Sequence, residues 1–431
     1  MKRVSFCTLG CKVNQYETEA MAQLFTNRGY EIADFSDVCD VYVINTCTVT
    51  GTGDKKSRQM IRRAKHLNPD AIIAVVGCYA QVAPEQVAAI EGVNVILGTR
   101  HRDRIVDMVE EASDGNTLTD VSDIRTQKAF EELTVEKYSE KTRAFIKIED
   151  GCNAFCSYCI IPYARGPVRS RPIHDIVREA KTLAENGFSE VVLTGIHLAS
   201  YGTDTKEHSL IDAVRAVHDI DGIRRIRLGS LEPRILTEEF IRAIHGLPKV
   251  CPHFHVSLQS GCTDTLKRMN RRYTAEEYRE GVERLRNIYR NPAVTTDIMS
   301  GFPGETEEEF SQSLEFLKEI AFAEAHVFAY SNRKGTRADV MPEQVPKKVR
   351  EERAALLSGA AAISRNDYIG SFVGEVCEVL FEQEIAPGVY EGYTRNYIRV
   401  HVESDTDLSH TYQNVTLTKA ENGYAVGELA R

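Results

Sequence analysis

Apolar residues in the first 112 positions alternate between short continuous runs and longer stretches of helical spacing. The runs cover residues 4–9, 41–45, 71–76 and 93–97, and the helical stretches cover 14–28 (closed by Gly29), 51–67, 84–90 and 102–111. Strands alternating with helices of this length predict βαβ units and a parallel sheet, in an open doubly wound domain. Residues 113–137, with Ser113-Asp114-Gly115-Asn116, lack a clear period and read as a connecting segment. The alternation resumes over 138–370, with candidate strands at 144–148, 191–193, 225–228, 253–258, 294–299 and 325–329. Amphipathic stretches such as 173–186, 237–245, 275–289 and 305–320 lie between them. Six units are too few for an eight-stranded barrel and predict a central partial (β/α)6 barrel, with functional residues at the C-terminal ends of its strands. A basic helical stretch at 347–365 leads into short alternating strands over 371–431, which predict a small antiparallel β-barrel. The chain is therefore read as α/β, with domains at 1–112, 138–370 and 371–431.

Composition narrows the class. With 42% hydrophobic and 27% charged residues among 431, disorder is excluded as the main state. No run of about 18 uncharged apolar residues occurs, and no apolar segment follows Met1-Lys2-Arg3, so neither membrane spanning nor export is expected. Eleven cysteines in such a chain point to a reducing, cytoplasmic setting, where thiols bind metal, react or sit in the core. The net charge of −10 divides as −1 over 1–112, −3 over 113–137, 0 over 138–370 and −6 over 371–431. The acidity is mostly terminal, and the average hides local basic clusters.

The cysteine spacing carries the chemistry. Cys152, Cys156 and Cys159 form C-x3-C-x-aromatic-C directly after the first strand of the central unit. Three thiolates on one tight loop can ligate three irons of a cubane cluster and leave the fourth iron open to a small chelating ligand. A structural zinc normally needs four protein ligands, and no nearby Cys or His completes this set. Three core thiols are the remaining alternative.

On this motif the sequence resembles the radical S-adenosylmethionine (SAM) enzymes. Through Ile160-Ile161-Pro162-Tyr163-Ala164-Arg165-Gly166 it is similar to their methylthiotransferase branch, over nearly the whole chain. The resemblance implies a 4Fe-4S cluster on Cys152, Cys156 and Cys159 that binds SAM.

Cys11, Cys47 and Cys78 each follow a predicted parallel strand. Strand ends of an open α/β sheet share one edge, so these three positions should converge. Gly10 and Gly77 would let the backbone approach a cluster closely. Core cysteines are the alternative reading. The stretches Cys11-Lys12-Val13-Asn14-Gln15-Tyr16-Glu17, Asn45-Thr46-Cys47 and Gly77-Cys78 resemble the amino-terminal methylthiotransferase domain, which implies a second, auxiliary 4Fe-4S cluster. Cys7, Cys39, Cys251, Cys262 and Cys377 have no ligand-like partner and are read as packing residues or free thiols.

Polar residues recur after the other strands, at Thr194-Gly195, Ser230 to Pro233, Gln259-Ser260-Gly261, Ser300 to Gly304 and Tyr330-Ser331. Single instances suit turns, but five at one rim favour a site. The resemblance suggests that some of them hold SAM, with Glu232 and Gln259 as hydrogen-bonding residues. Basic clusters at Lys55-Lys56-Ser57-Arg58 with Arg62-Arg63-Ala64-Lys65, at Arg165, Arg169 and Arg171, at Arg224-Arg225 with Arg227, and at Arg268 with Arg271-Arg272 could follow a nucleic-acid backbone.

The resemblance implies an enzyme, a transferase acting on tRNA, closest to the branch that converts N6-threonylcarbamoyladenosine next to the anticodon into its 2-methylthio derivative. It implies that an electron on the first cluster cleaves SAM to a 5′-deoxyadenosyl radical, that the radical opens carbon 2 of the adenine, and that the auxiliary cluster presents the sulfur. Partners would be tRNA, an electron donor protein and a sulfur source. Rival readings are action on a ribosomal protein aspartate, action on isopentenyladenosine in tRNA, and a non-enzymatic metal-binding RNA-binding protein. The terminal domain resembles TRAM, an RNA-associated barrel, yet its charge should repel phosphate: either Arg395, Arg399 and Lys419 form one basic face, or the RNA mainly contacts the other two domains, or the domain meets a basic protein.

Overall fold

The computed structural model describes residues 1–49, 51–112, 116–136, 138 and 142–430. Strands β1 (Arg3–Thr8), β2 (Glu31–Ala33), β3 (Val41–Thr46), β4 (Ile72–Gly77), β5 (Val95–Leu97) and β6 (Leu118–Asp120) form one parallel sheet in the order 2-1-3-4-5-6. Every residue of β3 is buried, as a strand covered on both faces requires. Separate apolar cores lie on the two faces, around Val43, Val76 and Ile105 on one and Ile44, Val75 and Ile61 on the other. Two edge strands, β2 and β6, escaped the periodicity because each is three residues long and mixes polar with apolar positions. The segment read as a connection therefore has fixed contacts: β6 joins the first sheet, while Leu133, Val135 and Tyr138 pack into the central core.

The central unit contains β7 (Arg143–Lys147), a short antiparallel ribbon of β8 (Glu149–Asp150) and β9 (Arg169–Ser170), then β10 (Glu190–Thr194), β11 (Arg225–Leu228), β12 (His253–His255), β13 (Ala293–Ser300) and β14 (Glu324–Ala329). Its six main strands stand in chain order as two parallel sheets, 7-10-11 and 12-13-14. Single parallel bridges, Ile226 to Val250 and Leu231 to Val256, join β11 to the β12 side. The result is the expected partial barrel with a thin seam at its middle. Helices start where their sequences allow: Ser209 with Asp212, Thr274 with Glu277 and Thr306 with Glu309 each complete a reciprocal cap.

Alternation along these strands sorts the chemistry. Ala144, Ile146, Val191, Leu193, Ile226, Phe254 and Val294 pack in the helix-covered core. The intervening positions, including Arg143, Lys147, Glu190, Arg227, His253, His255, Asp297 and His326, face the concave side, so the lumen is polar.

Helix Lys347–Gly370 leads to β15 (Val376–Ala386), β16 (Val389–Thr394), β17 (Arg399–Glu403), β18 (Tyr412–Glu421) and β19 (Tyr424–Leu429), a closed barrel ordered 15-16-17-19-18. It departs from the antiparallel expectation at one pair, β17 with β19, which is parallel. The barrel docks on the N-terminal ends of β7, β10 and β11. There Glu190 accepts from Arg227 Nε at 2.7 Å, and Arg225 Nη1 lies 3.4 Å from it. The same two arginines donate to the barrel carbonyls of Glu378, Tyr393, Thr394 and Arg395. Arg143 adds an ion pair to Glu382 and lies over the Tyr393 and Tyr397 rings. Among the described residues, no helix is long and apolar enough to cross a membrane.

Removing one partner of a buried ion cluster leaves the others uncompensated. Glu190→Gln should therefore cost about 3–5 kcal/mol, read as a lower urea midpoint; an unchanged midpoint would show that the barrel does not depend on this carboxylate.

Candidate functional site

Cys11 is the N-cap of helix Lys12–Asn27, Cys47 follows β3, and Cys78 begins a short helix directly after β4. The sheet order places β1, β3 and β4 side by side, so the three thiols meet at one edge. Gly10 has φ +108° and Gly77 φ +94°, conformations that L side chains rarely adopt. A Cβ on Gly10 would fall 3.0 Å from Cys47 Sγ, and one on Gly77 would fall 2.5 Å from Asn45 Oδ1. The close approach requires glycine at both positions.

Behind this edge lies a buried ion network. Glu17 accepts from Lys147 Nζ at 2.7 Å, pairs with Arg102 Nη2 at 3.1 Å, and is gripped by both terminal nitrogens of Arg165. Lys147 also bonds Asp150 at 2.7 Å, and Arg169 lies 3.4 Å from Asp150. Arg165 Nη2 donates to Asn14 at 2.6 Å and Arg165 Nε to Cys78 Sγ at 3.3 Å. Glu17 belongs to the amino-terminal domain, whereas Lys147, Asp150 and Arg165 belong to the central one, so the network joins them. The neighbouring cations hold the Glu17 carboxyl, despite its burial, down to about 2.

The second cysteine set lies on the loop after β8. Cys152 N–H donates to Gly166 O at 3.0 Å and Ser157 N–H to Met269 O at 2.9 Å, while Asn270 Nδ2 clamps the Phe155 carbonyl at 2.9 Å. Arg271 Nη1 donates to Cys156 Sγ at 3.4 Å, and Ala154 N–H to Cys152 Sγ at 3.4 Å. Cys152, Cys156 and Cys159 line a cavity of about 140 Å³ together with Ser230, Glu232 and Gln259. The two residues expected to meet a cosubstrate thus share one wall system with the thiols. Gln259 reaches it with φ +72°. Sequence reading missed His197, whose side chain lines the same cavity and whose N–H donates to Glu149 Oε2 at 2.7 Å. Burial raises the Glu149 carboxyl to about 8.

Burial first, and neighbouring thiols next, push Cys159 up to about 12 and Cys47 to about 11. Such sets favour a positively charged group that would deprotonate them. Among the described residues no group of three or more Cys, His, Asp or Glu converges as for a single metal ion. A cubane holds its ligands at separate corners, and the donor chemistry, the glycine clearances and the arginines at Cys78 and Cys156 suit such a cluster in each place.

The other cysteines are elsewhere: Cys39, Cys251 and Cys262 are buried, Cys7 packs in the sheet core, and Cys377 packs in the terminal barrel. Two basic clusters also need correction. Arg165, Arg169 and Arg171 are almost fully buried and ion-paired, as are Arg225 and Arg227, while Arg224 is exposed but held by Glu378, so neither group forms a free basic stripe on the surface. In the fourth cluster Arg268 pairs with Glu309 and Arg271 faces Cys156. Lys55, Lys56, Arg62 and Arg63 remain exposed on helix Gly51–Leu67. In the terminal barrel Arg395 donates to the Val250 carbonyl, Arg399 lies by Glu391 and Lys419 by Glu421.

Residues 146–317 match the radical SAM superfamily, and residues 3–98 match Uncharacterized protein family UPF0004. The chain is 42% identical to a threonylcarbamoyladenosine tRNA methylthiotransferase MtaB of Bacillus subtilis, covering 100% of this chain and 97% of that protein. The chain belongs to the radical SAM methylthiotransferase family. An Aquifex aeolicus protein of the same name is 39% identical over 93% of this chain and 97% of its own. A tRNA-2-methylthio-N(6)-dimethylallyladenosine synthase of Acetivibrio thermocellus is 36% identical over 100% and 92%. In fold, this methylthiotransferase is similar to the radical S-adenosylmethionine methyltransferase TsrM of Kitasatospora setae, at TM-score 0.57 and 15% identity over 79% of this chain and 77% of that one.

The network fixes a pH dependence. Glu17, held at about 2 against an ordinary 4.5, contributes stability that is complete above about pH 5 and disappears as pH falls toward 2. Glu17→Gln should therefore lower the unfolding free energy of the methylthiotransferase by about 3 kcal/mol near neutrality, with the gap to wild type closing as pH falls from 5 to 2. A gap independent of pH would contradict the pairing.

Proposed function

We propose that this methylthiotransferase converts N6-threonylcarbamoyladenosine in tRNA into its 2-methylthio derivative. The observation that carries the reading is the meeting of two cavities. The one lined by Cys152, Cys156 and Cys159 shares Ser230 with a lumen cavity of about 590 Å³, and Cys11 lines the lumen cavity. The first thiol set and Cys11 of the second thus border adjoining cavities, the larger with room for a nucleoside.

In this reading Cys152, Cys156 and Cys159 hold one 4Fe-4S cluster, Cys11, Cys47 and Cys78 hold the other, and Glu232 and Gln259 bind polar groups of SAM. When bound, the clusters and SAM supply the electron, the radical and the sulfur that acid–base side chains cannot. The chain supplies position and shielding. Arg271 and Arg165 offset negative charge at Cys156 and Cys78. Buried Glu149 accepts from the His197 N–H and fixes that backbone at the rim. The lumen is bordered by the amino-terminal domain and by Tyr397 of the terminal barrel. The exposed basic side of helix Gly51–Leu67 follows Cys47 and suits the tRNA backbone, giving salt-dependent binding. An electron donor protein and a sulfur source complete the partners, in the cytoplasm.

Nucleoside analysis of tRNA tests the reading. A strain lacking the protein should lose the 2-methylthio form and retain threonylcarbamoyladenosine. Unchanged tRNA together with a mass loss on a ribosomal protein, or loss of the dimethylallyl-type methylthio nucleoside, would overturn the substrate assignment.

A further inference from the structure

Among the described residues, the charged side chains that line the lumen are held by partners, Lys12 excepted. Asp297 meets His255 at 3.1 Å, Glu324 meets Arg365 at 3.4 Å, Arg227 meets Glu190 at 2.7 Å, and Arg143 pairs with Glu382. Lys12 lines both the 590 Å³ cavity and an adjoining one of about 690 Å³. It is exposed to them and has no hydrogen bond or ion pair among the described residues. It is also the first residue of its helix, where the backbone dipole already presents positive charge, and the first turn holds no acidic residue. A cation there is mildly destabilising unless an anion joins it. The anion of the fold that acts on it, Asp297, is already bonded to His255, while Arg143 and Arg227 add positive charge, and Cys11 is its neighbour in the chain.

The substrates that the relatives are named for differ in the group on the adenine nitrogen: threonylcarbamoyl ends in a carboxylate, whereas dimethylallyl is apolar. We propose that Lys12 is the specificity-determining residue of this site, its ammonium taking the carboxylate of the threonylcarbamoyl group and so orienting the adenine toward Cys11. This inference rests on the substrate reading above and goes beyond it in naming the group that selects the substrate. An apolar substituent would leave the ammonium in the lumen without a partner, which a polar site rejects more strongly than an apolar site rejects an extra group.

The test uses the reconstituted holoenzyme and an anticodon stem-loop RNA carrying threonylcarbamoyladenosine as the free acid or as its methyl ester. Wild type should prefer the acid by about 10- to 100-fold in kcat/KM, chiefly through KM. Lys12→Met should lose that preference and treat acid and ester alike, while Lys12→Arg restores most of it. Iron content and substrate-free SAM cleavage should be unchanged in both variants, which separates recognition from damage to the cluster. If Lys12→Met lowers both activities equally and keeps the acid preference, the inference is overturned while the substrate reading stands. If wild type modifies neither RNA, the substrate reading itself fails and the inference falls with it.

Discussion

The contact on which the rest of the molecule depends is the grip of Arg165, Lys147 and Arg102 on Glu17. It is buried, so ionised groups have been taken out of water at a cost that only close pairing offsets. Once formed, it admits one docking of the amino-terminal sheet on the central strands, because moving either domain would strand several charges at once. Arg165 couples this docking to chemistry: it lies six positions after Cys159, while its Nε reaches Cys78. One side chain thus belongs to the loop of the first cysteine set and to the wall of the second.

A second network, around Glu190, does the corresponding work at the other end of the same strands. Arg143, Glu190 and Arg225 are the first residues of β7, β10 and β11, whereas Lys147 is the last residue of β7. Strand alternation explains how one short sheet serves both purposes. Its outward positions are aliphatic and hold the helices, and its inward positions are charged and hold two other domains. The acidity of the terminal barrel acquires a role in this arrangement, since Glu378 and Glu382 meet Arg224, Arg225 and Arg143. The barrel's negative charge faces the protein's own arginines at this interface.

Much of this was legible in the sequence, for reasons that differ by element. Buried parallel strands such as Val41–Thr46 are continuous apolar runs, and a cysteine after each of three such runs must share an edge. Short edge strands such as Leu118–Asp120 carry too few residues for a period. The basic clusters misled because linear spacing does not report burial: Arg165, Arg169 and Arg171 look like a surface stripe, yet each is buried against a carboxylate, Glu17, Asp150 and Glu179 respectively. The signal that could have corrected this was their place beside the cysteines, Arg165 at the end of the short helix Ile161–Arg165 and Arg169 on the ribbon strand that follows. Alternation in His253-Phe254-His255 likewise marked a polar lumen that attention to strand ends passed over.

The central claim is that the two three-cysteine sets hold two clusters facing one lumen across the Glu17 network. Pulsed EPR on the reduced, reconstituted holoenzyme measures this most directly. The account predicts spin coupling between two clusters in wild type. Replacing Cys11, Cys47 and Cys78 together, or Cys152, Cys156 and Cys159 together, with alanine should leave a single uncoupled cluster in each case. Two clusters without measurable coupling, or a full complement of iron in either triple variant, would contradict it.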